Sequence, residues 1–502
     1  MQGSLGNIIW TICYFIVLTG LSLYGLHRYV VVFLYWKYRN RPPRPIASFS
    51  KLPRITVQLP VYNEMYVVDR LLKSVSELDY PRELLQVQLL DDSTDDTTGI
   101  AATRVAELRA AGLDIEHVHR QDRSGFKAGA LENGLSSCKG DFILILDADF
   151  VPTRDMLMKT VHYFTDPKIG MIQTRWGHLN RTYSLLTRVQ AMFLDGHLLL
   201  EQTARSRSGR FFNFNGTAGL WRRTCIEDAG GWQHDTLTED LDLSYRAQLN
   251  GWRFIFLADL VTPAELPVDM NGFKSQQHRW TKGSIQTCTK LLPSVWRAKL
   301  PLLIKLEATA HLTSNYAYLL LFFLCLLLHP AMSTGMAHGS LKTLLVDVAI
   351  FFSASAPAAV FYVCCQRELY PKSWLREVLL MPALIALGIG LAVNNARAVI
   401  EAIIGHKSEF TRTPKYGIER RTQSWKRSQY VPLKTLLPFV ELAFAIYFSY
   451  FVFVAAQRGQ WFSIPFLMLF QSGFAYVALC SLAQWIPGLK FPGRDTGATL
   501  SA

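Results

Sequence analysis

The stretch FILILDADF, residues 142–150, decides the fold of this chain. Its large apolar residues predict a short buried β-strand, and Asp147 and Asp149 follow at the end of that strand. Stretches of the same kind recur between helical patterns, which predicts an α/β domain with a mostly parallel sheet. Ligands of such sheets bind beyond the carboxyl ends of the strands, so the residues that follow each strand are the candidates for chemistry.

Three further stretches also contain a short apolar run that predicts a strand. They are RITVQLPVYNE at 54–64, LLQVQLLDDSTDD at 84–96 and RFIFLAD at 253–259. Residues 65–78 and 97–112 have helical spacing, and the second of these segments ends in Gly112, as helices often do. The α/β domain is therefore expected to span residues 52–270.

Acidic residues follow three of the predicted strands. They are Glu64, Asp91, Asp92, Asp95, Asp96, Asp147 and Asp149. A single acidic pair is more often a turn or a helix cap, but acidic residues at three strand ends favour a binding site. The spacing Asp147-x-Asp149 lets two carboxylates hold a hard divalent cation, Mg²⁺ or Mn²⁺, together with phosphate groups. Lys127, at a predicted helix start, adds a cation for the same phosphates.

The composition indicates a membrane protein with a sizeable soluble part, since 50% of the residues are hydrophobic and only 18% are charged. Residues 8–26 carry no charge and are long enough to cross a hydrocarbon layer of ~30 Å. A cleaved signal peptide is the alternative, but no basic residue precedes this run and no cleavage pattern follows it. Residues 1–45 are therefore predicted to be a transmembrane helix with a basic linker, which places the next domain in the cytoplasm.

The chain returns to the membrane after the α/β domain. The sequence predicts interface helices at 271–308, a transmembrane pair at 309–365, an interfacial segment with a basic loop at 374–430, and a second transmembrane pair at 435–485. Basic residues flank the apolar stretch 378–393 on both sides, so we interpret it as interfacial or re-entrant. The net charge of +13 concentrates in these segments, which favours membrane lipids over nucleic acid as partners.

Seven short motifs follow one another along the chain. They are DDS from Asp91, KAG from Lys127, DAD from Asp147, FNGT from Phe214, TED from Thr238, QQHRW from Gln276 and FTRTPK from Phe410. In this order they resemble the processive, membrane-embedded inverting glycosyltransferases of family 2, the cellulose synthase type with its mannan and glucan synthase-like branch. The resemblance implies a fold class of α/β plus membrane α-helices, with a cytoplasmic GT-A glycosyltransferase domain inserted between transmembrane helices.

The resemblance also implies roles for the motif residues. The nucleotide-sugar would contact Asp91, Asp92, Lys127, Asp147, Asp149, Gln276, Arg279, Trp280, Arg412 and Lys415. The acceptor would contact Phe214, Asn215, Gly216, Thr217, Glu239 and Trp280. Asp147 and Asp149 would hold the metal, and Asp240 would be the general base that takes the proton from the attacking hydroxyl. FTRTPK would be a gating loop that closes over the bound nucleotide.

The stretch QTRWGHLN, residues 173–180, is expected one helix and one further strand after the metal-binding strand. Its candidates for the acceptor path are Arg175, Trp176, His178 and Asn180. A place in the core is the alternative for Trp176, and a membrane-interface anchor is the alternative for Trp280. Glu239 also has a structural alternative, because Thr236 precedes it with the spacing of a capping box.

Three functions compete. The favoured one is processive transfer of hexosyl units from a nucleotide-sugar, with UDP-glucose preferred and GDP-mannose possible, to a β-linked polysaccharide that leaves through the protein's own transmembrane channel. A non-processive glycolipid glycosyltransferase and a transporter with a nucleotide-binding regulatory domain are the alternatives. Paired acidic residues within the spans would favour the transporter, and the spans contain isolated ones such as Asp347 and Glu441. The expected location is a bacterial inner membrane.

Overall fold

A computed structural model describes residues 5–333, 356–407, 412–420, 422–423, 425 and 435–485. In these residues a mixed sheet with flanking helices lies beside a set of long apolar helices. The sheet has seven strands in the order β3-β2-β1-β4-β6-β5-β7. The strands are β1 Ile55–Val61, β2 Leu85–Asp91, β3 Asp114–His119, β4 Phe142–Ile145, β5 Ile169–His178, β6 Gly219–Arg222 and β7 Arg253–Ala264.

The helices are numbered in chain order, and α13 denotes the helical residues 356–369. The helices up to α9 are α1 Leu5–Tyr38, α2 Val68–Ser76, α3 Thr97–Ala110, α4 Phe126–Leu135, α5 Met156–Val161, α6 Leu185–Asp195, α7 Gln202–Arg207, α8 Arg223–Asp228 and α9 Glu239–Leu249. The later ones are α10 Met270–Arg297, α11 Leu302–Thr313, α12 Tyr316–Ser333, α14 Trp374–Val378, α15 Met381–Gly390, α16 Ala392–Ile403, α17 Leu437–Gln457 and α18 Ile464–Ala483. A π-helical turn, Gly196–Glu201, joins α6 to α7.

The prediction of a mostly parallel sheet is confirmed. Strand β1 pairs in parallel with β2 and β4, β2 with β3, and β5 with β7. Strand β6 is the exception, since it runs antiparallel to both β4 and β5. The carboxyl ends of β1, β2, β4 and β5 therefore meet at one edge of the sheet, which is where the predicted acidic residues lie.

The two faces of the sheet are buried in different ways. On one face of β1, Ile55, Val57 and Leu59 are fully buried in an apolar cluster with α2. On the opposite face Thr56 and Gln58 are equally buried, and they bond to glutamine side chains of β2 at 2.7 and 3.0 Å. Because these polar groups pair with each other, both faces can be removed from water.

Long apolar helices surround the α/β domain. Within the described residues, three helices are long and apolar enough to cross a membrane, namely Ile9–Tyr38 of α1, α17 and α18. Two bent pairs, α11 with α12 and Trp374–Gly390 with α16, raise that number to five if each pair is one span. The second pair bends by 40°, so the re-entrant interpretation of this segment stays a prediction. The predicted span 344–365 lies mostly outside the described residues.

The expected position of QTRWGHLN is wrong. After the strand that carries Asp147 and Asp149 the chain forms α5 and a short 3₁₀ turn, and then enters β5 directly. Residues Gln173 to His178 are the last six residues of β5 itself, and no other strand lies between β4 and β5. The stretch therefore lies at the carboxyl end of a sheet strand, close to the edge where the acidic residues gather.

Candidate active site

A cavity opens at the carboxyl edge of the sheet, between the strand ends, the first turns of α4 and α9, the middle of α10 and the segment 412–415. Seven acidic and five basic side chains line it. The acidic ones are Glu64, Asp92, Asp147, Asp149, Glu239, Asp240 and Glu265, and the basic ones are Arg123, Lys127, Arg279, Arg412 and Lys415. This concentration of opposite charges is suited to a phosphate-bearing ligand.

Each aspartate of the DAD motif accepts a hydrogen bond from the ammonium group of a lysine. Lys127 Nζ lies 2.5 Å from Asp147 Oδ1, and Lys415 Nζ lies 2.7 Å from Asp149 Oδ2. Burial opposes the charge on Lys127, but Asp147 and Glu239 outweigh it and raise the pKa of this lysine. Both lysines come from helix or loop segments distant in sequence, so they join the strand end to the rest of the cavity wall.

The residues present fit a divalent cation that is shared with a diphosphate. Within the described part of the chain, no cluster of three or more histidine, cysteine, aspartate or glutamate side chains could hold a metal by itself. Asp147 and Asp149 could supply two hard oxygen ligands, which would leave coordination positions for phosphate oxygens, as Mg²⁺ and Mn²⁺ prefer. The acidic excess of the lining also requires additional positive charge once a diphosphate enters.

Asp240 and Glu239 begin helix α9 and face this cavity. Burial and the neighbouring Glu239 raise the pKa of Asp240 to about 7, while burial raises the pKa of Glu239 against the effect of Lys127. The capping-box interpretation of Glu239 is wrong, because the helix begins at Glu239 and Thr238, not Thr236, is at the N-cap position. A carboxyl group with a pKa near 7 is suited to proton transfer at neutral pH.

The FNGT motif lies against Asp240. Gly216 has a positive φ of 81°, and a Cβ at this position would lie 3.1 Å from Asp240 Oδ2. The Gly216 carbonyl accepts from Lys127 Nζ at 2.8 Å, and the Thr217 hydroxyl accepts from the backbone N–H of Asp147 at 2.8 Å. Phe214 is fully buried against a tryptophan ring and does not line the cavity. The motif therefore holds the DAD strand end and Asp240 together.

The two aspartates after β2 have different surroundings. Asp91 is fully buried, accepts from Ser93 N and contacts His117 Nε2, both at 2.9 Å. Burial would raise the pKa of Asp91, but the hydrogen bonds from His117 and Ser93 lower it to about 2. Asp91 does not line the cavity, so the structure places it in a structural position and not at the donor.

Asp92 lines the cavity and accepts two bonds from Arg120, at 2.8 Å from Nε and 2.6 Å from Nη2. Beside it, the Arg123 guanidinium stacks 3.3 Å from the centre of the Tyr62 ring. Arg120, Arg123 and Tyr62 are not among the residues predicted from the sequence. The two arginines in HRQDRSG, one residue before the KAG motif, were the available signal.

Three residues of the QQHRW motif lie on one face of α10. Gln276, Arg279 and Trp280 all line the cavity, as their helical spacing allows. Buried ion pairs attach this helix to the apolar helices: Lys274 Nζ lies 2.6 Å from a Glu441 oxygen, and Lys282 Nζ lies 3.0 Å from Glu401 Oε2. The motif side chains are thus fixed by contacts that only the folded chain creates.

The segment 412–420 covers the cavity on one side. Arg412 Nη1 lies 2.9 Å from Glu64 Oε2, and Lys415 bonds the backbone carbonyl of Glu265 at 2.8 Å. The Glu265 carboxylate in turn accepts from the backbone N–H groups of Tyr416 and Gly417, each at 3.0 Å. Glu265 was not among the predicted residues, and Phe410 of the motif lies outside the described residues.

A second cavity begins at Asp240, Trp176, Asn215 and Trp280, which line both cavities. It extends among α1, α10, α11, α12 and α13, and both polar groups and aromatic rings line it. Its deeper lining includes Arg28, His197, His311, Asn315, Tyr318, Phe361 and Tyr362. Asp240 therefore lies between the charged first cavity and the aromatic and polar second cavity.

Successive side chains of QTRWGHLN point to opposite faces of the sheet where the stretch belongs to β5. Trp176 and His178 line the first cavity, whereas Arg175 donates from Nε to the Ala258 carbonyl at 2.7 Å and lines neither cavity. Asn180 is buried and exchanges two 2.9 Å bonds with the Leu266 backbone. Of the four predicted acceptor candidates, the structure brings Trp176 and His178 to the site.

Comparisons with known proteins agree with this geometry. Residues 53–283 match the family model described as glycosyltransferase like family 2. The chain is 42% identical over 255 residues to Probable glucomannan 4-beta-mannosyltransferase 7 of Oryza sativa subsp. japonica, covering 50% of this chain and 44% of that protein. It is 38% identical over 282 residues to glucomannan 4-beta-mannosyltransferase 2 of Arabidopsis thaliana, covering 54% of this chain and 53% of that protein. The chain thus spans about half the length of the curated relatives it matches.

Among solved structures, the chain is similar to the mannosyltransferase PcManGT from Pyrobaculum calidifontis, which was solved with GDP-Man and Mn²⁺. The TM-score is 0.52 and the sequence identity 21%, and the match covers 78% of this chain and 99% of that one. At this identity the likeness concerns the fold, and it confirms the expected GT-A class of the α/β domain.

Proposed function

We infer that this protein transfers hexosyl units from a nucleotide-sugar. The premise is that residues 53–283 form a glycosyltransferase domain of family 2. The observation that carries the inference is the position of Asp240, a carboxyl group whose pKa is raised to about 7, between the phosphate-suited cavity and the aromatic passage. A base at this junction can reach an acceptor hydroxyl on one side and a donor sugar on the other.

In the proposed mechanism the donor diphosphate lies against the basic side chains of the first cavity, Lys127, Arg279 and Lys415. Asp240 takes the proton of the acceptor hydroxyl while that oxygen attacks the anomeric carbon from the face opposite the leaving diphosphate. One carboxylate and one displacement invert the configuration at the anomeric carbon. The basic residues stabilise the negative charge that develops on the departing nucleotide.

Asp147 and Asp149 would hold a divalent cation, Mg²⁺ or Mn²⁺, when the nucleotide-sugar is bound. Such an ion supplies charge stabilisation to the leaving diphosphate. Lys127 and Lys415 keep the same two carboxylates oriented toward the cavity. Glu64 contributes less negative charge than its residue type suggests, because burial raises its pKa to about 8.

GDP-mannose is the proposed donor. The curated relatives carry the name glucomannan 4-beta-mannosyltransferase, and the structurally similar mannosyltransferase was solved with GDP-Man. The preference for UDP-glucose that the motifs suggested has no support from these relatives. The expected bacterial membrane has none either, because the curated relatives are plant proteins.

The proposed acceptor is a β-linked polysaccharide whose end lies at Trp280 and Asp240, with the rest of the chain in the second cavity. Aromatic rings and polar groups both line this passage, and such a lining can bind sugar rings by their faces and hydroxyls. Because the passage lies among the apolar helices, successive additions would move the polymer toward the other side of the membrane. The glycosyltransferase domain would then lie on the cytoplasmic side.

The donor assignment is tested by incubating purified protein with labelled GDP-mannose, UDP-glucose and UDP-N-acetylglucosamine in separate reactions, followed by sizing of the product. We expect incorporation from GDP-mannose into long chains. Incorporation from UDP-glucose alone would contradict the donor, short lipid-linked products would contradict processive synthesis, and no incorporation from any of the three would contradict the function.

The rate of transfer should depend on pH through Asp240. Only the ionised carboxylate can accept a proton, so activity should be constant well above pH 7 and fall about tenfold per unit below it. The measurement is the pH profile of kcat/KM, from initial rates at subsaturating donor and acceptor, because that quantity reports the pKa of the unliganded protein. A profile that stays flat down to pH 5 would contradict the assignment of this base.

Substitution of Gly216 by Ala should lower the rate of transfer strongly. The alanine backbone would have to adopt a left-handed conformation. Its Cβ would lie 3.1 Å from Asp240 Oδ2 and 3.7 Å from Lys127 Nζ. Gly209→Ala is the matched control, since Gly209 has a φ of +69° and open space around the Cβ position. Both variants should lose about 1–2 kcal/mol of stability in thermal unfolding, but only Gly216→Ala should lose activity. Equal activity of the two variants would contradict the role of the FNGT loop.

A further inference from the structure

The side-chain carbonyl of Asn215 is surrounded by donors. Its Oδ1 lies 2.8 Å from Gln202 Nε2, 3.0 Å from Asn213 Nδ2 and 3.2 Å from His197 Nε2. The Gln202 amide is itself oriented by the backbone carbonyl of Asn213 at 3.0 Å, and the Asn213 amide by the carbonyl of Phe214 at 2.9 Å. Because two donors are anchored on backbone oxygens, the carbonyl oxygen of Asn215 must point toward them.

The other end of this amide is consequently fixed as well. The Nδ2 group of Asn215 is buried and has no hydrogen-bond partner among the described residues. Asn215 lines both cavities, as does Asp240. An orphaned donor is unusual in a buried position, and a ligand oxygen is one way to satisfy it.

A chain of charged groups extends from His197 to the first apolar helix. His197 Nδ1 lies 3.0 Å from Glu201 Oε2, which lies 3.2 Å from Arg205 Nη1. Glu307 bridges Arg205 and His27 of α1, with both contacts at 3.0 Å. Burial would raise the pKa of Glu201, but Arg205 and His197 lower it well below its usual value, so this carboxylate is charged.

The π-helical turn that carries His197 and Glu201 is also held from the opposite side. A Cβ at Gly196 would lie 2.6 Å from the Phe361 ring and 2.8 Å from the Tyr362 ring, so the backbone of the turn lies directly against α13. Both ring nitrogens of His197 lie within hydrogen-bond distance of side-chain oxygens, Nδ1 of Glu201 Oε2 and Nε2 of Asn215 Oδ1. Single π-turns of this kind are frequent at functional sites.

We propose that His197 and Gln202 are positioning residues for acceptor binding, which hold the Asn215 amide so that its NH₂ group donates to a hydroxyl oxygen of the terminal acceptor sugar. This inference rests on the proposed function. The network fixes the direction of one hydrogen bond at the junction of the two cavities, and the apolar helix α1 supports it through Glu307. The proposed ligand atom is therefore an accepting oxygen on a neutral sugar ring.

The test uses the full-length protein, GDP-mannose as donor and β-1,4-linked mannotetraose as acceptor. Gln202→Leu, His197→Leu and Asn215→Ala should each raise the KM for mannotetraose about tenfold, the loss of one oriented hydrogen bond, with the KM for GDP-mannose unchanged. His197→Gln keeps a donor near Nε2 and should recover most of the effect. In the double variant Gln202→Leu with Asn215→Ala the two effects should not add, because both remove the same bond.

Gln88→Leu is the matched control, since Gln88 of β2 is also fully buried and hydrogen-bonded, but to the Gly134 carbonyl of α4. It should lower thermal stability as Gln202→Leu does and leave the acceptor KM unchanged. Additive effects, or an unchanged acceptor KM in folded Gln202→Leu and His197→Leu proteins, would overturn this inference alone. Wild-type protein that transfers no mannose would overturn the proposed function and this inference with it.

Discussion

Asp240→Asn is expected to lower the rate of transfer by about 10²–10⁴-fold, the usual contribution of a general base. Asparagine keeps the shape of the side chain and can still accept from the Leu241 N–H, which lies 2.8 Å from Asp240 Oδ1. It has no oxygen that can take up a proton at neutral pH. Binding of GDP-mannose should survive, because the basic residues of the phosphate region are unchanged. Initial rates and calorimetric donor affinity, measured on the same preparation, check both statements.

Asp235→Asn provides the control for this substitution. Asp235 lies five residues before Asp240 on an exposed stretch, where it pairs with Lys290 at 2.7 Å. Removing an exposed pair costs little, so rate and donor affinity should both stay close to wild type. Wild-type turnover in Asp240→Asn would remove Asp240 from the mechanism, and Glu239 would then be the carboxylate to test.

Asp149→Ala is expected to abolish the metal-dependent part of donor binding, with a loss of affinity of about 100-fold or more. Asp149 is buried, and its Oδ2 accepts a hydrogen bond from Lys415 Nζ at 2.7 Å. It also belongs to the pair of carboxylates that fits a cation. Without it the diphosphate loses an ion ligand and Lys415 loses its anchor. Titration of GDP-mannose with Mn²⁺ and again with excess chelator measures the effect directly.

The control is Asp155→Ala, which removes another aspartate that is bonded to a lysine. Its partner Lys159 lies at 2.6 Å, but both side chains are about half exposed and lie away from the cavity. This variant should bind the donor as wild type does, with and without chelator. A wild-type protein whose donor affinity is the same in chelator as in Mn²⁺ would contradict the metal assignment.

The sequence predicts the strand ends well because local patterns determine them. Apolar runs identify β1, β2 and β4, and residues after them do reach one edge of the sheet, whereas the run at 253–259 covers only the first part of β7, which continues to Ala264. The strand predictions depend on short local patterns, which a single sequence displays directly. The expectation for Gln276, Arg279 and Trp280 came from the family resemblance, and helix α10 brings all three to the cavity.

Other parts of the site depend on contacts between distant residues, which no local pattern encodes. Lys415 reaches Asp149 across 266 positions, and Arg120 pairs with Asp92 across 28. Asp91 and Asp92 are equivalent in sequence, but the first turns toward His117 of β3 and the second toward the cavity. Such choices are made by the packing of the sheet and not by the residues alone.

Strand alternation could have corrected one prediction in advance. Within β5, Trp176 and His178 share a face, and the neighbouring Arg175 points away from it to the backbone of β7. Had the stretch been assigned to the strand itself and not to the residues that follow a strand, Arg175 would not have been an acceptor candidate. The missed network of Glu201, Arg205 and Glu307 is different, since it forms between helices whose packing the sequence does not reveal.

The most direct test of a single displacement with Asp240 as base is the anomeric configuration of the product. Purified protein is given GDP-mannose, whose mannose is α-linked, and mannotetraose, and the bond formed in the first turnover is identified by NMR. One base and one displacement predict a β-linked mannosyl residue, and none in the Asp240→Asn protein. An α-linked product would require two displacements or another mechanism, and it would contradict the account.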